Sequence, residues 1–376
     1  MSLGWRNKPN SSQNIIFYAN ASMNYAKGNG KNNSNTYMNN LLQNNFSGTI
    51  SSSVNSLSGN AQLSYLKKGY KKGKLFKASG DVSGTQNFKN NKWENQYSYS
   101  DTSLIFTDSR FRKDMNDVLK FSGGISETRS IFLRWYLVPE LKAGSGTEKL
   151  DRKQGIPPGN DVPIDSLSSV MQMQYQWIRP SLSIRKSNDK TQVNFTARTE
   201  IGKLINSLSD SMSRTLQLLY FTPRLSWNRE YKKNHRLNIF YESSLNNPTV
   251  SQLLPLKDNT NSLQVFSGNN MLKPEYQHDL ELNWMIFDPF SFTSLFTGIS
   301  GTYTNDKINW ERSIDSNFNQ QMKLINVSDD YRASANTDFT TPIRKLKINL
   351  NLTGRETWNS GINFVNGIKN INTNYI

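Results

Sequence analysis

The chain has 376 residues, no cysteine and only two histidines. Without cysteine it can form neither a disulfide nor a thiolate metal site, which agrees with an oxidising compartment such as the periplasm. No stretch approaches the ~18 apolar residues that a transmembrane helix needs. The first residues also lack the basic start and apolar run of a secretory signal peptide. Any crossing of a membrane must therefore be made by strands.

Hydrophobic residues are scarce as well. They make up 35% of the chain, and the mean hydropathy is −0.67. Values this low are typical of disordered chains, yet aromatic residues reach 11% and recur in regular patterns. A membrane β-barrel explains both observations, because only its outer band must be apolar.

Residues 171–177 carry the clearest pattern, Met-Gln-Met-Gln-Tyr-Gln-Trp. Successive side chains of a strand point to opposite faces, so this segment has one apolar face and one polar face. The same alternation recurs at 193–201, 280–286 and 346–352. By alternation and turn signals we predict about thirteen strands. They lie near 13–27, 53–68, 74–86, 116–126, 131–142, 168–186, 191–203, 216–229, 235–246, 275–287, 291–311, 322–339 and 343–358.

The connections between these strands alternate between short and long. The short ones are predicted at 68–73, 127–130, 187–190, 230–234, 288–290 and 340–342. The long ones are predicted at 28–52, 87–115, 143–167, 204–215, 247–274, 312–321 and after 358. Short turns at one rim and long loops at the other are typical of outer-membrane barrels. We therefore expect the short turns to be periplasmic and the long loops extracellular.

The alternation predicts which residues face lipid. Near Ile178 and Pro180 the apolar positions change from odd to even, which predicts a β-bulge there. Residues 193, 195 and 197 are expected to face lipid, and Glu200 the lumen. Trp177, Trp227 and Trp284 lie on the apolar parity and are expected in an interfacial girdle.

The fold class predicted is all-β: an antiparallel transmembrane β-barrel. About thirteen strands would be part of a larger barrel, of about 22 strands by comparison with outer-membrane transporters. Residues 1–376 are expected to form one partial barrel domain with neither a plug domain nor a signal peptide visible. The last strand runs into an Asn-rich stretch without returning, so we expect a fragment.

The formal net charge of +16 raises the possibility of nucleic-acid binding. The cations are dispersed, however, and the densest group, between Lys67 and Lys77, surrounds glycines of a strand–turn–strand junction. We interpret them as solvated turn or lumen charges. No nucleic acid is expected as a partner.

A string in the long loop at 247–274 carries a family resemblance. It reads Ser-Gly-Asn-Asn-Met-Leu-Lys-Pro-Glu-Tyr over residues 267–276. It resembles the Gly-Asn-Pro-x-Leu-Lys-Pro-Glu pattern of TonB-dependent outer-membrane receptors, with Asn270 in place of the first proline. The preceding Pro-Thr-Val-Ser-Gln-Leu is similar to the TonB-receptor-like outer membrane protein beta-barrel family. The motif residues are Gly268, Asn269, Leu272, Lys273, Pro274 and Glu275.

The resemblance implies the C-terminal barrel portion of such a receptor, in the Gram-negative outer membrane. A receptor of this kind imports a scarce solute, here an unresolved siderophore, glycan or peptide. Its implied partners are outer-membrane lipid, lipopolysaccharide and the TonB complex, the last acting through a plug that this chain does not contain. Two alternatives stay open: a non-transporting barrel for adhesion or structure, and a soluble β-rich binding module.

Solute contacts are expected from polar residues on the lumen-facing parity and from the loops. Amides and hydroxyls both donate and accept hydrogen bonds, which suits glycans and peptides. The two histidines should lie at opposite rims, and no nucleophile, acid–base pair or metal cluster is apparent. We therefore expect no enzyme activity and no cofactor. The candidate lumen residues are Gln172, Gln174, Gln176, Asn194, Arg198, Glu281, Asn283, Lys347 and Asn349.

Overall fold

The computed structural model describes residues 1–99, 105–156, 163–209, 212–261, 263–315 and 319–375. Nearly all of these residues lie in strands of one sheet, and neighbouring wall strands are antiparallel. The all-β fold is thereby confirmed. The strands are β1 (Ser2–Asn7), β2 (Gln13–Met38), β3 (Leu41–Lys68), β4 (Leu75–Tyr99), β5 (Ile105–Phe132), β6 (Trp135–Gly155), β7 (Ser169–Ser187), β8 (Thr191–Leu208), β9 (Met212–Phe221), β10 (Arg224–Lys232), β11 (His235–Asn246), β12 (Lys257–Asn261), β13 (Gln264–Ser267), β14 (Glu275–Asp288), β15 (Thr293–Asn305), β16 (Lys307–Ile314), β17 (Gln320–Val327), β18 (Asp330–Ile343), β19 (Ile348–Val365) and β20 (Ile368–Tyr375).

Helical structure is limited to short pieces. They are the helix α1 (Val250–Leu253) and two 3-10 turns, Asp165–Leu167 and Arg344–Leu346. No helix in the described ranges has the length and apolar character needed to cross a membrane.

The wall follows the chain, because each strand pairs with the next along it. β9 and β10 both pair with β8 in one continuous register, and Thr222 and Pro223 separate them. Pro223 has no amide hydrogen to donate, which explains the interruption. β11 pairs with β14, because β12 and β13 belong to the intervening loop. Each of the thirteen predicted strands overlaps a strand of this wall, and β1 and β20 extend it at either side. The predicted strands 291–311 and 322–339 also include parts of β16 and β17, which form a separate hairpin between β15 and β18.

The loop between β11 and β14 defines the inner face of the sheet. Val250 and Leu253 of α1 are buried against Leu150 of β6, Met171 of β7 and Leu324 of β17. The loop leaves the wall at the end of β11, yet its α1 packs on β6 and β7, so it folds back across the inner face of the sheet. The opposite, outer face carries exposed large apolar side chains, among them Leu119, Leu182, Phe195 and Leu352.

An aromatic row crosses the outer face of β14, β15, β18 and β19. From Tyr276 to His278, Tyr303, Tyr331 and Trp358 the successive ring centroids lie 4.4, 5.8, 4.9 and 6.4 Å apart. In β14 about ten residues separate this row from the short turn, the length that a tilted strand needs to cross the hydrocarbon layer. The row therefore marks the far boundary of the outer apolar band.

Five segments predicted as long loops consist instead mainly of paired strand ends. Residues 28–52 lie mostly in β2 and β3, 87–115 in β4 and β5, 143–155 in β6, and 204–215 in β8 and β9. The stretch after 358 continues β19 and then returns as β20, which pairs with β19, so the expectation that the last strand does not return is wrong. These strand ends extend beyond the apolar band, where both faces are polar and the alternation that reveals a strand disappears. Residues 100–104 and 157–162 of the predicted loops lie outside the described residues.

Two short turns were placed too early in the chain. Residues 127–130 belong to β5, whose turn comes at Arg134 with a φ of 63°. Residues 340–342 belong to β18, and the turn follows at Arg344–Leu346. The predicted bulge near Pro180 is also wrong, because β7 keeps one register with β6 and with β8 on both sides of it.

Candidate functional site

A cavity of about 490 Å³ lies on the inner face of β4 to β7, toward the end that carries the long loops. The segment that follows β11 closes it from the interior. Its lining is mainly hydroxyl, amide and charged, with one indole. The residues are Asp81, Ser83, Lys120, Phe121, Ser122, Ser145, Gly146, Thr147, Glu148, Met173, Tyr175, Trp177, Arg179, Leu245, Asn246, Asn247, Pro248 and Thr249.

A network on β7 and β8 forms one wall of this cavity. The Tyr175 hydroxyl donates to the carboxylate of Glu200, and the Arg179 guanidinium donates to the same carboxylate at 2.8 and 2.9 Å. Arg179 also lies 3.9 Å from the centre of the Trp177 ring. Glu200 is buried, and both of its carboxylate oxygens accept bonds within this network. The network holds both rings in fixed positions along the cavity.

Glycines on the neighbouring strands make room for these two rings. A Cβ atom on Gly144 of β6 would lie 2.5 Å from the Trp177 ring, and one on Gly202 of β8 would lie 2.9 Å from Tyr175. Each aromatic ring therefore lies over bare backbone of the next strand. Any larger residue at either glycine would push a ring into the cavity.

The cavity carries charges of both signs. Lys120 and Arg179 face Asp81 and Glu148, and the Ser122 hydroxyl donates to Asp81 at 2.6 Å. Burial raises the pKa of Glu148, which accepts a 3.4 Å hydrogen bond from Asn116. Such a lining can hydrogen-bond a polar solute of mixed or zero charge. It contains no activated nucleophile.

The loop that closes the cavity is held by its own hydrogen bonds and a small core. Thr249 caps α1 in a reciprocal capping box with Gln252. Gly268 lies so close to the carbonyl oxygens of Gln252 and Leu254 that no side chain would fit. Asn269 donates from its backbone to Gln252 and from its side chain to the Leu324 carbonyl. Leu272 is fully buried in the core formed with α1.

The remaining motif residues fasten the loop to the hairpin of β16 and β17. Lys273 and Asn326 exchange two hydrogen bonds, of 2.8 and 3.1 Å. Glu275 accepts from the Ile308 amide and pairs with Lys307 at 3.2 Å. Pro274 is buried between them. The contacts of the six motif residues are therefore within the protein, and they shape the loop.

The three candidate glutamines of β7 lie on the wrong face for a solute in the lumen. Tyr175 and Arg179 reach Glu200 and Met171 packs on α1, so the odd positions of β7 point inward. Gln172, Gln174 and Gln176 point outward. The same register makes Trp177 an inner residue, so its predicted place in a lipid girdle is also wrong. The physical reason is that this half of β7 lies above the apolar band, where water meets the outer face.

Asn194 and Arg198 do point inward, as predicted. Asn194 accepts a 3.1 Å hydrogen bond from Arg185 near the short turns. Arg198 donates to Thr222 at 2.9 Å and to the Ser243 carbonyl at 3.3 Å. Both side chains are thus occupied in bracing the wall and do not line the cavity.

Glu281, Asn283 and Asn349 share the inner face but are scattered. Glu281 and Asn283 pair across strands with Ser300 and Gly298, well below the cavity. Asn349 pairs with Pro342 beside a short turn. Lys347 is not a strand residue: it adopts a left-handed conformation with a φ of 52° in the turn before β19. The strand predicted from residue 343 begins only at Ile348, so the predicted lumen position of Lys347 is wrong.

The residues that build the cavity were mostly missed by the sequence reasoning. Tyr175 and Trp177 were assigned to the lipid face, and Lys120, Asp81 and Glu148 were not singled out. The available signal was the change of parity after Trp177, which marks the end of the apolar band. In the described part of the chain, no group of three His, Asp or Glu side chains could hold a metal ion.

Comparison with known proteins identifies relatives of this architecture. A model of the "Outer membrane protein beta-barrel family" matches residues 168–376, more than half of the chain. None of the curated proteins compared with the chain matches it.

Solved outer-membrane receptors are similar over nearly the whole chain. The alcaligin receptor FauA of Bordetella pertussis is 10% identical, with a TM-score of 0.39 over 98% of this chain and 62% of its own. The ferric-catecholate import receptor Fiu of E. coli K12 is 6% identical, with a TM-score of 0.43 over 96% and 66%. The hemophore receptor HasR of Serratia marcescens is 9% identical, with a TM-score of 0.40 over 95% and 62%. The chain thus spans less than two thirds of the length of FauA.

Proposed function

Because this chain belongs to the outer membrane protein beta-barrel family of the Gram-negative outer membrane, we propose that it forms the wall and outer loops of a TonB-dependent receptor. Such a receptor imports a scarce solute through the barrel. The similar receptors FauA, Fiu and HasR are receptors for alcaligin, for ferric catecholates and for a hemophore with heme, respectively. A solute of this kind, or a glycan or peptide, is the proposed cargo here.

The inner cavity is the observation that supports this proposal most directly. It lies on the inner face toward the long-loop end, which is expected to be extracellular, and the segment after β11 borders it. Ligand sites usually combine a concave shape with a few convergent polar groups. A hollow of about 640 Å³ also lies on the outer face beside Gly80 and Gly123, but lipid chains would fill it.

The proposed loading route is past the loop that closes the cavity. Asn246 to Thr249 form its inner border, and α1 anchors this segment to β6 and β7 through the buried core. A solute held there would contact both the wall and the loop. Release of the solute into the barrel would then require protein segments deeper in the lumen to move. That movement is the role proposed for a plug driven by the TonB complex.

Uptake by living cells tests the proposal. A strain lacking the gene for the natural protein would be compared with the parent strain for uptake of labelled ferric siderophores, heme, oligosaccharides and peptides. We expect uptake of one class to fall at least tenfold, and the same loss when an uncoupler removes the inner-membrane proton gradient. Parental uptake of every class would instead favour a barrel that serves adhesion or structure.

A further inference from the structure

The net charge of the protein is concentrated at the end of the barrel that carries the short turns. We define the short-turn rim as residues 6–13, 67–77, 127–136, 185–191, 229–236, 288–293 and 343–347. It contains 20 of the 45 Lys and Arg residues but only 4 of the 29 Asp and Glu residues. Its formal charge is therefore +16, equal to that of the whole chain, and the other 25 cations and 25 anions cancel.

The seven segments form one continuous rim. Trp135 pairs with Lys186 across neighbouring hairpins, and Leu75 pairs with Thr128. Backbone hydrogen bonds join other successive turns: the Glu230 amide donates to the Lys190 carbonyl, and the Phe287 amide to the Asn234 carbonyl. Cations that are distant in sequence thus follow one edge of the sheet.

Acidic residues neutralise little of this charge. Among the described residues, the salt bridges of the rim involve Glu127, which pairs with Lys74 and Arg129, and Glu230, which pairs with Arg236. The hydrogen bonds from Arg129 and Lys74 lower the pKa of Glu127 to about 2. Most of the remaining cations of the rim are exposed.

The same turns expose apolar and aromatic side chains at their tips. Leu133 and Phe290 are 85% and 86% exposed. Lys186 lies 5.3 Å from the centre of the Trp135 ring, which joins a cation to an aromatic ring within the rim. The other exposed tips are Tyr70, Ile131, Phe132, Tyr231, Phe292 and Leu346.

From these two features we propose that the short-turn rim binds the headgroups of anionic phospholipids in the adjoining leaflet. Lysine and arginine near a membrane surface attract anionic lipid, and their long stems follow apolar surface while the charge stays in water. Aromatic and aliphatic tips enter the interfacial layer of the same leaflet. An acidic soluble protein is an alternative partner that would match the positive charge of the rim. It would not explain why successive turns along the bilayer edge expose apolar side chains at their tips. The rim therefore holds the barrel at a fixed depth and selects anionic lipid around it.

Fluorescence quenching tests this proposal with the natural protein in detergent–lipid micelles. Brominated phosphatidylglycerol and brominated phosphatidylcholine would be compared as quenchers, and a Trp135→Phe variant would isolate the signal of Trp135. We expect phosphatidylglycerol to be preferred about tenfold near Trp135 at low salt. The preference should decline in 0.5 M NaCl, because the screening length falls from ~10 Å at 0.1 M toward ~3 Å at 1 M.

A matched pair of variants assigns the preference to the rim. The first replaces Lys71, Lys72, Arg134 and Lys186 by Gln, and the second replaces Lys27, Lys31, Lys149 and Lys203, which lie beyond the apolar band. Both remove four positive charges, and circular dichroism would verify that both are folded. We expect the first to lose most of the preference and the second to keep it. Equal quenching by both lipids in the wild type, or equal losses in the two variants, would overturn the proposal.

Discussion

The two halves of β7 use the same alternation for opposite purposes. From Ile178 to Ile184 the outward side chains are apolar, and they belong to the band that faces lipid. From Met171 to Trp177 the outward side chains are glutamines and the inward ones are apolar or aromatic. The strand does not change register between the halves. The solvent on the outer face changes instead, from hydrocarbon to water, and the interior changes from an open lumen to a packed loop.

The largest effect is expected from a change in the core that packs against the inner face of the upper half of β7, residues Met171 to Trp177. Leu272→Ala removes a fully buried side chain from the core between the loop, β6 and β7. Truncations of this kind cost about 2–5 kcal/mol, so the loop should detach from the wall. Trypsin cleavage after Lys257, measured on intact cells, reports this detachment. The neighbouring Met271 is exposed, so Met271→Ala is the control and should leave cleavage unchanged. If both variants are cut at the same rate, the core does not hold the loop.

The second prediction compares the outer face of the two halves directly. Leu182→Arg places a charge in the apolar band of the lower half, where arginine costs about 2–4 kcal/mol at the bilayer midplane. Gln174→Arg places the same charge outward in the upper half, where water surrounds it. We expect the amount of folded protein in the outer membrane to fall sharply for the first variant only. A similar loss for both would mean that the lower and upper outer faces meet the same environment.

The sequence was sufficient for the fold but not for the site. The outward residues Phe195, Leu280 and Leu352 are apolar because they face lipid. Lipid surrounds the whole barrel, so the same alternation recurs in every strand that crosses it. The strands, the short turns and the outer band could therefore be predicted. On the inner face, no single environment decides which side chains are apolar. Met171 is apolar because α1 packs on it, and that loop starts about 80 residues further along the chain. No local pattern separates an apolar residue that meets lipid from one that meets a folded-in loop.

The long strand ends illustrate the same limit. Residues 28–52 pair over most of their length, yet neither face meets lipid, so Asn, Ser and Thr fill both faces. Their strand structure depends on backbone hydrogen bonds, which every sequence can make. The loop motif shows the opposite case, because Gly268 and Asn269 were recognised from a resemblance. Their contacts with Gln252 and Leu324 became visible only in the fold.

A smaller effect is expected from the charge network of the upper inner face. Glu200→Gln keeps the shape of the side chain but removes the charge that Arg179 and Tyr175 bind. Losing charge-assisted hydrogen bonds at a buried site costs about 1.5–3 kcal/mol. Thermal unfolding of the natural protein in detergent, followed by circular dichroism, should show a clear decrease in midpoint. Glu281→Gln, on the exposed inner face of β14, should change stability by less than about 0.5 kcal/mol. Equal shifts would show that the network adds nothing to the stability of the wall.

The smallest expected effect separates the two faces of the upper half by function. A triple variant with Gln172, Gln174 and Gln176 all replaced by Ala removes three amides from the outer face. Isolated surface changes of this kind shift stability by less than about 0.5 kcal/mol each, and none of the three side chains lines the cavity. We therefore expect unchanged solute uptake at matched surface expression.

Lys120→Ala provides the contrast, because Lys120 is one of the two cations that line the cavity. If the solute occupies this cavity and bonds to the ammonium group, the loss of about 1.5–3 kcal/mol corresponds to a rise of roughly tenfold or more in the solute concentration that gives half-maximal uptake. The comparison is informative because the two changes lie on β5 and β7, two strands apart, at nearly the same height, and they differ in the face they occupy. A loss of uptake in the glutamine variant together with normal uptake in Lys120→Ala would place recognition on the outer face, and both the assigned orientation of β7 and the proposed cavity would have to be abandoned.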